Sequence, residues 1–310
     1  MPKYKTALVT GGAGFIGSHI VDALIRRRIK VYVIDDLSTG SRKNLNPNAT
    51  FYKMSIVDEA AKKLVMRLKP DVIFHLAAQI DVRCSVEDPP ADARINVMGT
   101  LNIAHAAAKA GVKKFIFTSS GGAMYPDTLK PPYSEKTPDE PLSPYAISKR
   151  SAEMYLDFEH RIHGLNYVIL RLANAYGPRQ ALRGGYAGVI SVFTRQMLAG
   201  EKVLINGTGK QTRDYVFVSD IVHAHMLAME KNVTGTFNIG TGIQTTVNTL
   251  FAKLKKLTGI VQKELYGPAA KGEVMRCALD ARKALKELGW KPEVPLEEGL
   301  KKTVLWFKNI

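Results

Sequence analysis

A glycine-rich turn between a strand and a helix restricts this chain more than any other feature. Gly11-Gly12-Ala13-Gly14-Phe15-Ile16-Gly17 places glycines at 11, 14 and 17. It follows Thr6-Ala7-Leu8-Val9-Thr10, which reads as a buried strand. It opens a stretch from Phe15 to Arg28 with Ile16, Ile20, Ala23 and Leu24 at helical spacing. Without Cβ atoms, such a turn lets backbone N–H groups approach a pyrophosphate at the positive end of the helix. Gly11, Gly14, Phe15, Ile16 and Gly17 are therefore candidate dinucleotide contacts.

The next strand, Lys30-Val31-Tyr32-Val33-Ile34, ends in Asp35-Asp36, and Asp35 lies eighteen residues beyond Gly17. An acid at that point accepts hydrogen bonds from the adenosine ribose and repels a 2′-phosphate, which predicts NAD over NADP. Asp36 joins Asp35 as a cofactor candidate. Further strands are read at 72–76, 114–118, 166–171 and 236–240. Thr100 to Ala110, stopped by Gly111, and Tyr145 to His163 read as helices. Strand–helix alternation with continuously apolar strands predicts an α/β fold: a Rossmann-type doubly wound parallel sheet with a smaller, interwoven C-terminal substrate-binding lobe. Residues 1–173, with 217–240 returning to the sheet, form the dinucleotide-binding domain in this reading. Residues 174–216 and 241–310 form the lobe.

The composition narrows the setting. The first five residues lead straight into a strand with no long apolar leader, and no run approaches eighteen apolar residues, so a cytoplasmic protein with no membrane partner is expected. Cys84 and Cys277 are too far apart in sequence to read as a disulfide framework. The net charge of +16 comes from scattered lysines without interleaved aromatics, so it reads as a solvated surface that draws in dianionic small molecules, not as a nucleic-acid site. No metal site is expected.

Tyr145-Ala146-Ile147-Ser148-Lys149 stacks a phenol and an ammonium on one helix face. Tyrosine ordinarily titrates near ~10, and a nearby cation favours the phenolate. This reading makes Tyr145 a proton acceptor and Lys149 both its support and a donor to the nicotinamide ribose.

Together these residues resemble the extended short-chain dehydrogenase/reductase family, and within it the UDP-glucose 4-epimerases. The likeness runs nearly end to end. It includes residues 10–19, His75-Leu76-Ala77-Ala78-Gln79, Asn96-Val97-Met98-Gly99-Thr100, Ser143-Pro144-Tyr145 with Lys149, Arg171 to Pro178, and Arg213-Asp214-Tyr215-Val216. The resemblance implies that Ala77, Ala78 and Gln79 line a cofactor trough, with Asn96 near it. It implies that Asn174 and Arg213 hold the diphosphate of a UDP-sugar substrate, and that a homodimer forms through helices 100–110 and 145–163. The implied reaction is NAD-dependent 4-epimerisation of UDP-galactose and UDP-glucose through a transient 4-keto sugar, with Tyr145 as acid/base.

The sequence also departs from the family pattern. Gly121 stands where a Ser or Thr commonly binds the sugar's 4-hydroxyl, so Ser119 or Ser120 is expected to stand in. Pro126 replaces the glycine after Tyr125. Ala270-Lys271-Gly272-Glu273 lacks the usual arginine, and Lys271 is the candidate substitute. Gly122 and Ala123 replace the Asp-Glu pair of family dehydratases, which argues against elimination of water. Cys277 falls at a gate position where a small side chain leaves room for a 2-acetamido group, as in UDP-GalNAc or UDP-GlcNAc. A uronate 4-epimerase, a decarboxylase and a non-catalytic dinucleotide sensor remain alternatives.

Overall fold

Seven parallel strands organise the chain in a computed structural model that describes residues 4–180, 188–261, 263–269 and 274–310. They are β1 (Thr6–Thr10), β2 (Lys30–Asp35), β3 (Thr50–Lys53), β4 (Val72–His75), β5 (Lys114–Ser120), β6 (Tyr167–Leu172) and β7 (Gly235–Ile239). Their order across the sheet is β7-β6-β5-β4-β1-β2-β3. The chain runs outward through β2 and β3, then crosses back to lay β4 on the other side of β1. The crevice at that reversal, at the carboxyl ends of the strands, is where open α/β sheets bind ligands. The register brings Thr10 level with both Ile34 and His75, so the loops after these strands share one edge.

Both faces of the sheet are covered. Val9, Val33, Phe74, Ile116 and Leu170 pack on one side, towards α1 (Phe15–Arg26). Leu8, Ile34, Ile73, Phe115 and Ile169 pack on the other, towards α2 (Glu59–Leu68), α3 (Thr100–Ala110) and α4 (Pro144–His163). The helix expected to reach Arg28 ends at Arg26, because Arg28 turns to φ 59 and Ile29 N–H donates to the Leu24 carbonyl. A third apolar cluster lies outside the sheet, where α5 (Val189–Leu198), α6 (Val218–Glu230), α7 (Val247–Thr258) and α8 (Leu296–Lys308) meet. Short two-stranded pairs such as Asn174–Tyr176 with Tyr215–Phe217 tie this region to the sheet's edge. Among the described residues, no helix is long and apolar enough to cross a membrane.

Candidate functional site

A cavity of about 580 Å³ lies along the carboxyl edge of the strands. Its floor is the glycine turn. Gly11 has φ +70, and a Cβ on Gly17 would stand 2.1 Å from the Gly11 carbonyl oxygen. The turn therefore closes only without side chains at these points, and it leaves the first turn of α1 facing the cavity. Phe15 and Ile16 join Gly11, Gly14 and Gly17 in the wall.

Asp35 closes one end. Its Oδ2 accepts from the Ala13 N–H at 2.9 Å and its Oδ1 from the Leu37 N–H at 2.9 Å. Each oxygen keeps a lone pair for a ribose hydroxyl. Burial pushes its pKa up, against the pull of those N–H donors. Asp36 also reaches the wall, but it is exposed and its carboxylate accepts from Ser38 N–H and Oγ.

The loop after β4 forms the opposite wall through Ala77, Ala78 and Gln79. The Thr10 hydroxyl accepts from the Leu76 and Ala77 N–H groups at 3.1 and 3.2 Å, so its own proton goes to His75 Nδ1 at 2.9 Å. The Thr100 hydroxyl donates to the Asn96 carbonyl, which leaves His75 Nε2 to donate to Thr100 at 3.1 Å. This chain of bonds needs a neutral imidazole, and burial lowers the His75 pKa to about 3. Asn96 is not in the wall. Its amide clasps the Gln79 backbone from behind, N–H to Oδ1 at 2.9 Å and Nδ2 to carbonyl at 2.8 Å. A wide π-helical turn over Arg94–Gly99 puts it there, and Asp92 binds both Asn96 Nδ2 and Gln79 Nε2.

Tyr145 and Lys149 enter from α4. Ser143 caps that helix by accepting from Ala146 N–H, and Pro144 sets its first turn, so Tyr145 stands at the helix mouth. Burial pushes the Tyr145 pKa up to about 12; the neighbouring Ser120 hydroxyl works against that rise and the charge of Asp92 adds to it. Lys149 is turned towards the sheet. Its ammonium donates to the Thr118 carbonyl at 2.7 Å and sits 4.1 Å over the Phe117 ring, so its charge is directed into the sheet. Burial lowers the Lys149 pKa to about 7, opposed by the nearby carboxylates of Glu153 and Asp92.

The two candidate serines part company. Ser119 is buried and donates to Glu153 Oε1 at 2.6 Å, which takes its hydroxyl away from Tyr145. Ser120 lines the cavity together with Tyr145. At Gly121 a Cβ would lie 2.4 Å from Leu279 Cδ1, so a side chain there requires the buried Leu279 to shift. Glu153 is itself held by Arg171, which donates to both its oxygens, to Asp139 and to the Tyr125 hydroxyl. Arg171 is raised above its usual pKa: burial works against it, and Glu153 and Asp139 overcome that. Glu153 stands four residues after Lys149 on the same helix face, which is the signal that links it to the site.

Asn174 and Arg213 reach the same cavity from the lobe side. Arg213 Nη1 donates to the Thr212 and Val274 carbonyls at 2.8 and 2.7 Å, which orients the guanidinium. Lys271 lies outside the described residues. Cys277 does not reach the cavity wall. It is 2% exposed, and the segment is drawn inward because Leu279 N–H donates to the buried Asp214 and Tyr133 N–H to the Ala278 carbonyl. Burial pushes its thiol up to about 11. The wall thus combines a phosphate-binding turn, an acid for a ribose, a Tyr–Ser hydroxyl pair and an arginine. Gly122 and Ala123 also line it, where an elimination chemistry would want acids.

Comparison with known proteins agrees with this arrangement. The NAD dependent epimerase/dehydratase family pattern matches residues 7–240. A putative UDP-glucose 4-epimerase of Methanocaldococcus jannaschii is 46% identical over 303 residues, covering 97% of this chain and 98% of that one. The crystal structure of UDP-glucose 4-epimerase with UDP-glucose from Thermotoga maritima superposes with a TM-score of 0.96 at 51% identity, covering 98% of this chain and 99% of the other. A Thermus thermophilus UDP-glucose 4-epimerase in complex with NAD superposes with a TM-score of 0.91 at 37% identity, covering 98% and 99%.

Proposed function

The chain belongs to the NAD-dependent epimerase/dehydratase family, and from that premise we propose that it interconverts UDP-galactose and UDP-glucose by epimerising the sugar at C4. The observation that carries this reading is that Tyr145 and Ser120 line the same cavity as the glycine turn. The closed glycine turn and Asp35 fit NAD, since no side chain obstructs the start of α1 and a carboxylate faces the ribose end. When bound, oxidised NAD supplies a hydride acceptor for sugar C4 and a positive charge that favours the Tyr145 phenolate. Tyr145 takes the 4-hydroxyl proton and later returns it. Ser120, in the same lining, offers the 4-hydroxyl a second partner. Lys149, pinned to Thr118, keeps further N–H groups for the nicotinamide ribose. Asn174 and Arg213 grip the diphosphate while the 4-keto sugar turns to present its other face, so remote binding energy holds a loosely oriented intermediate.

The reading extends to assembly. Ile147, Met154, Tyr155, Phe158 and Ile162 leave an exposed apolar stripe along α4, and exposed Met98 lies just before α3. Such a stripe matches a second copy packing helix to helix, as a homodimer. Phe158→Asp is expected to shift sedimentation from dimer to monomer. The free thiols Cys84 and Cys277 accord with a reducing, cytoplasmic setting.

The test is a panel of UDP-galactose, UDP-GalNAc and UDP-glucuronate with purified protein and no added cofactor, products resolved by chromatography. UDP-glucose formed from UDP-galactose is the expected result. Turnover of UDP-glucuronate alone, or of none even with NAD supplied, would overturn it. UDP-GalNAc measures how much room the sugar pocket has.

A further inference from the structure

Away from the cavity, α3 and α4 bring together three metal-ligating side chains that the proposed reaction does not use. His105 comes from α3, while Glu159 and His163 stand four residues apart near the end of α4. One donor atom from each lies within 4.8 Å of the other two. His105 Nδ1 is 3.0 Å from Glu159 Oε1, and His163 Nε2 is 4.0 Å from Glu159 Oε2.

Glu159 is the unusual member. It is 0% exposed, and its Oε2 is buried with no hydrogen-bond partner. A buried carboxylate oxygen without a donor is costly. The two imidazoles flank it and are about one-third open to solvent. His105 and Glu159 line a shallow hollow between the helices, together with Met98, Leu101, Tyr155 and Phe158. Lys62 also borders the hollow, and its ammonium lies 3.5 Å from Glu59.

We propose that His105, Glu159 and His163 form a binding site for one divalent transition-metal ion, of which zinc is the best match. Two imidazole nitrogens and one carboxylate oxygen are a common zinc set, with a fourth position left open to water. Bond lengths of about 2.0–2.2 Å require the three donors to close in by roughly 1 Å. His163 is the last residue of α4 and His105 is partly exposed, so both rings can rotate to do so. The ion supplies Glu159 Oε2 with the partner it lacks. It also cross-links α3 to α4 under the apolar stripe proposed to meet a second copy, so it firms that face without entering the reaction.

The experiment titrates zinc into chelator-treated full-length protein by calorimetry, alongside Co2+ absorption and thermal melts. Wild type is expected to bind one Zn2+ per chain, to give visible Co2+ bands of tetrahedral type, and to melt higher with stoichiometric zinc. His163→Ala changes a surface residue and should fold normally. It is expected to weaken zinc binding at least ~10-fold and to abolish the melting shift. His105→Ala should do the same, and UDP-sugar turnover by either variant should stay unchanged. Sub-stoichiometric zinc uptake by wild type would overturn the proposal and leave an ordinary ion pair. Equal zinc uptake by His163→Ala would also overturn it and point to the exposed Cys84 instead.

Discussion

The two walls of the cavity are built in opposite ways. The cofactor wall is made of consecutive residues: a strand, a glycine turn and a helix, then a second strand ending in Asp35. Its polar groups are tied to nearby backbone, as in Ala13 N–H and Leu37 N–H to Asp35. The sugar-and-diphosphate wall is assembled from segments far apart in sequence, with Ser120 on β5, Tyr145 on α4, Asn174 after β6 and Arg213 in the lobe. A local wall tolerates little change because its geometry is steric. An assembled wall should lose its functions one at a time.

The sharpest way to break this contrast is at Gly17. Gly17→Ala sets a Cβ against the Gly11 carbonyl and is expected to strip the dinucleotide from the purified protein, with turnover lost altogether. Absorbance and extraction of bound nucleotide check this. Tyr145→Phe is expected to keep the dinucleotide while kcat falls about 10³- to 10⁴-fold, the upper range for a lost acid/base. Arg213→Ala should raise KM about 10- to 100-fold with a smaller change in kcat, as expected for lost binding of a charged group. Ser120→Ala should cost kcat about 10- to 100-fold, whereas Ser119→Ala should show its effect mainly in thermal stability, through Glu153 and Arg171. Equal effects at the two serines would erase the distinction drawn between them.

The smallest effect is one of pH on the fold itself. His75 and His225 are buried and lowered to about 3 and about 4, against an ordinary 6.5. On acidification the unfolded chain therefore takes up protons first. Stability should be fully present above about pH 6.5 and decline as pH falls towards those folded values. Denaturant melts at pH 7 and near pH 4.5 measure the drop, and His225→Asn should reduce it.

This difference in construction also explains what could be read from the sequence. The glycine turn, Asp35 and the Tyr145–Lys149 pair were legible because each depends on spacing within one or two elements. Ser119 and Ser120 were ambiguous together, because neighbouring strand residues point to opposite faces and sequence does not say which face is the cavity. The short strand Thr50–Lys53 carries no legible apolar pattern, since it is an edge strand with no fully buried residue. The resemblance implies Asn96 near the cofactor trough; that it sits behind the wall and clasps Gln79 depends on a π-helical turn with no sequence period of its own. Nor could spacing show that Cys277 faces inward, because long-range bonds to Asp214 and Tyr133 set that segment.

In the proposed reaction one phenol and one retained dinucleotide serve both halves of the sugar's conversion. Incubating the protein with UDP-galactose deuterated at C4, with no NAD added, tests it most directly. Mass and NMR analysis should find UDP-glucose with the deuterium still at C4, since a dinucleotide held by the glycine turn and Asp35 would supply the same hydride acceptor and donor throughout. Deuterium lost from C4, or a product formed only when NAD is supplied in stoichiometric amounts, would contradict the account.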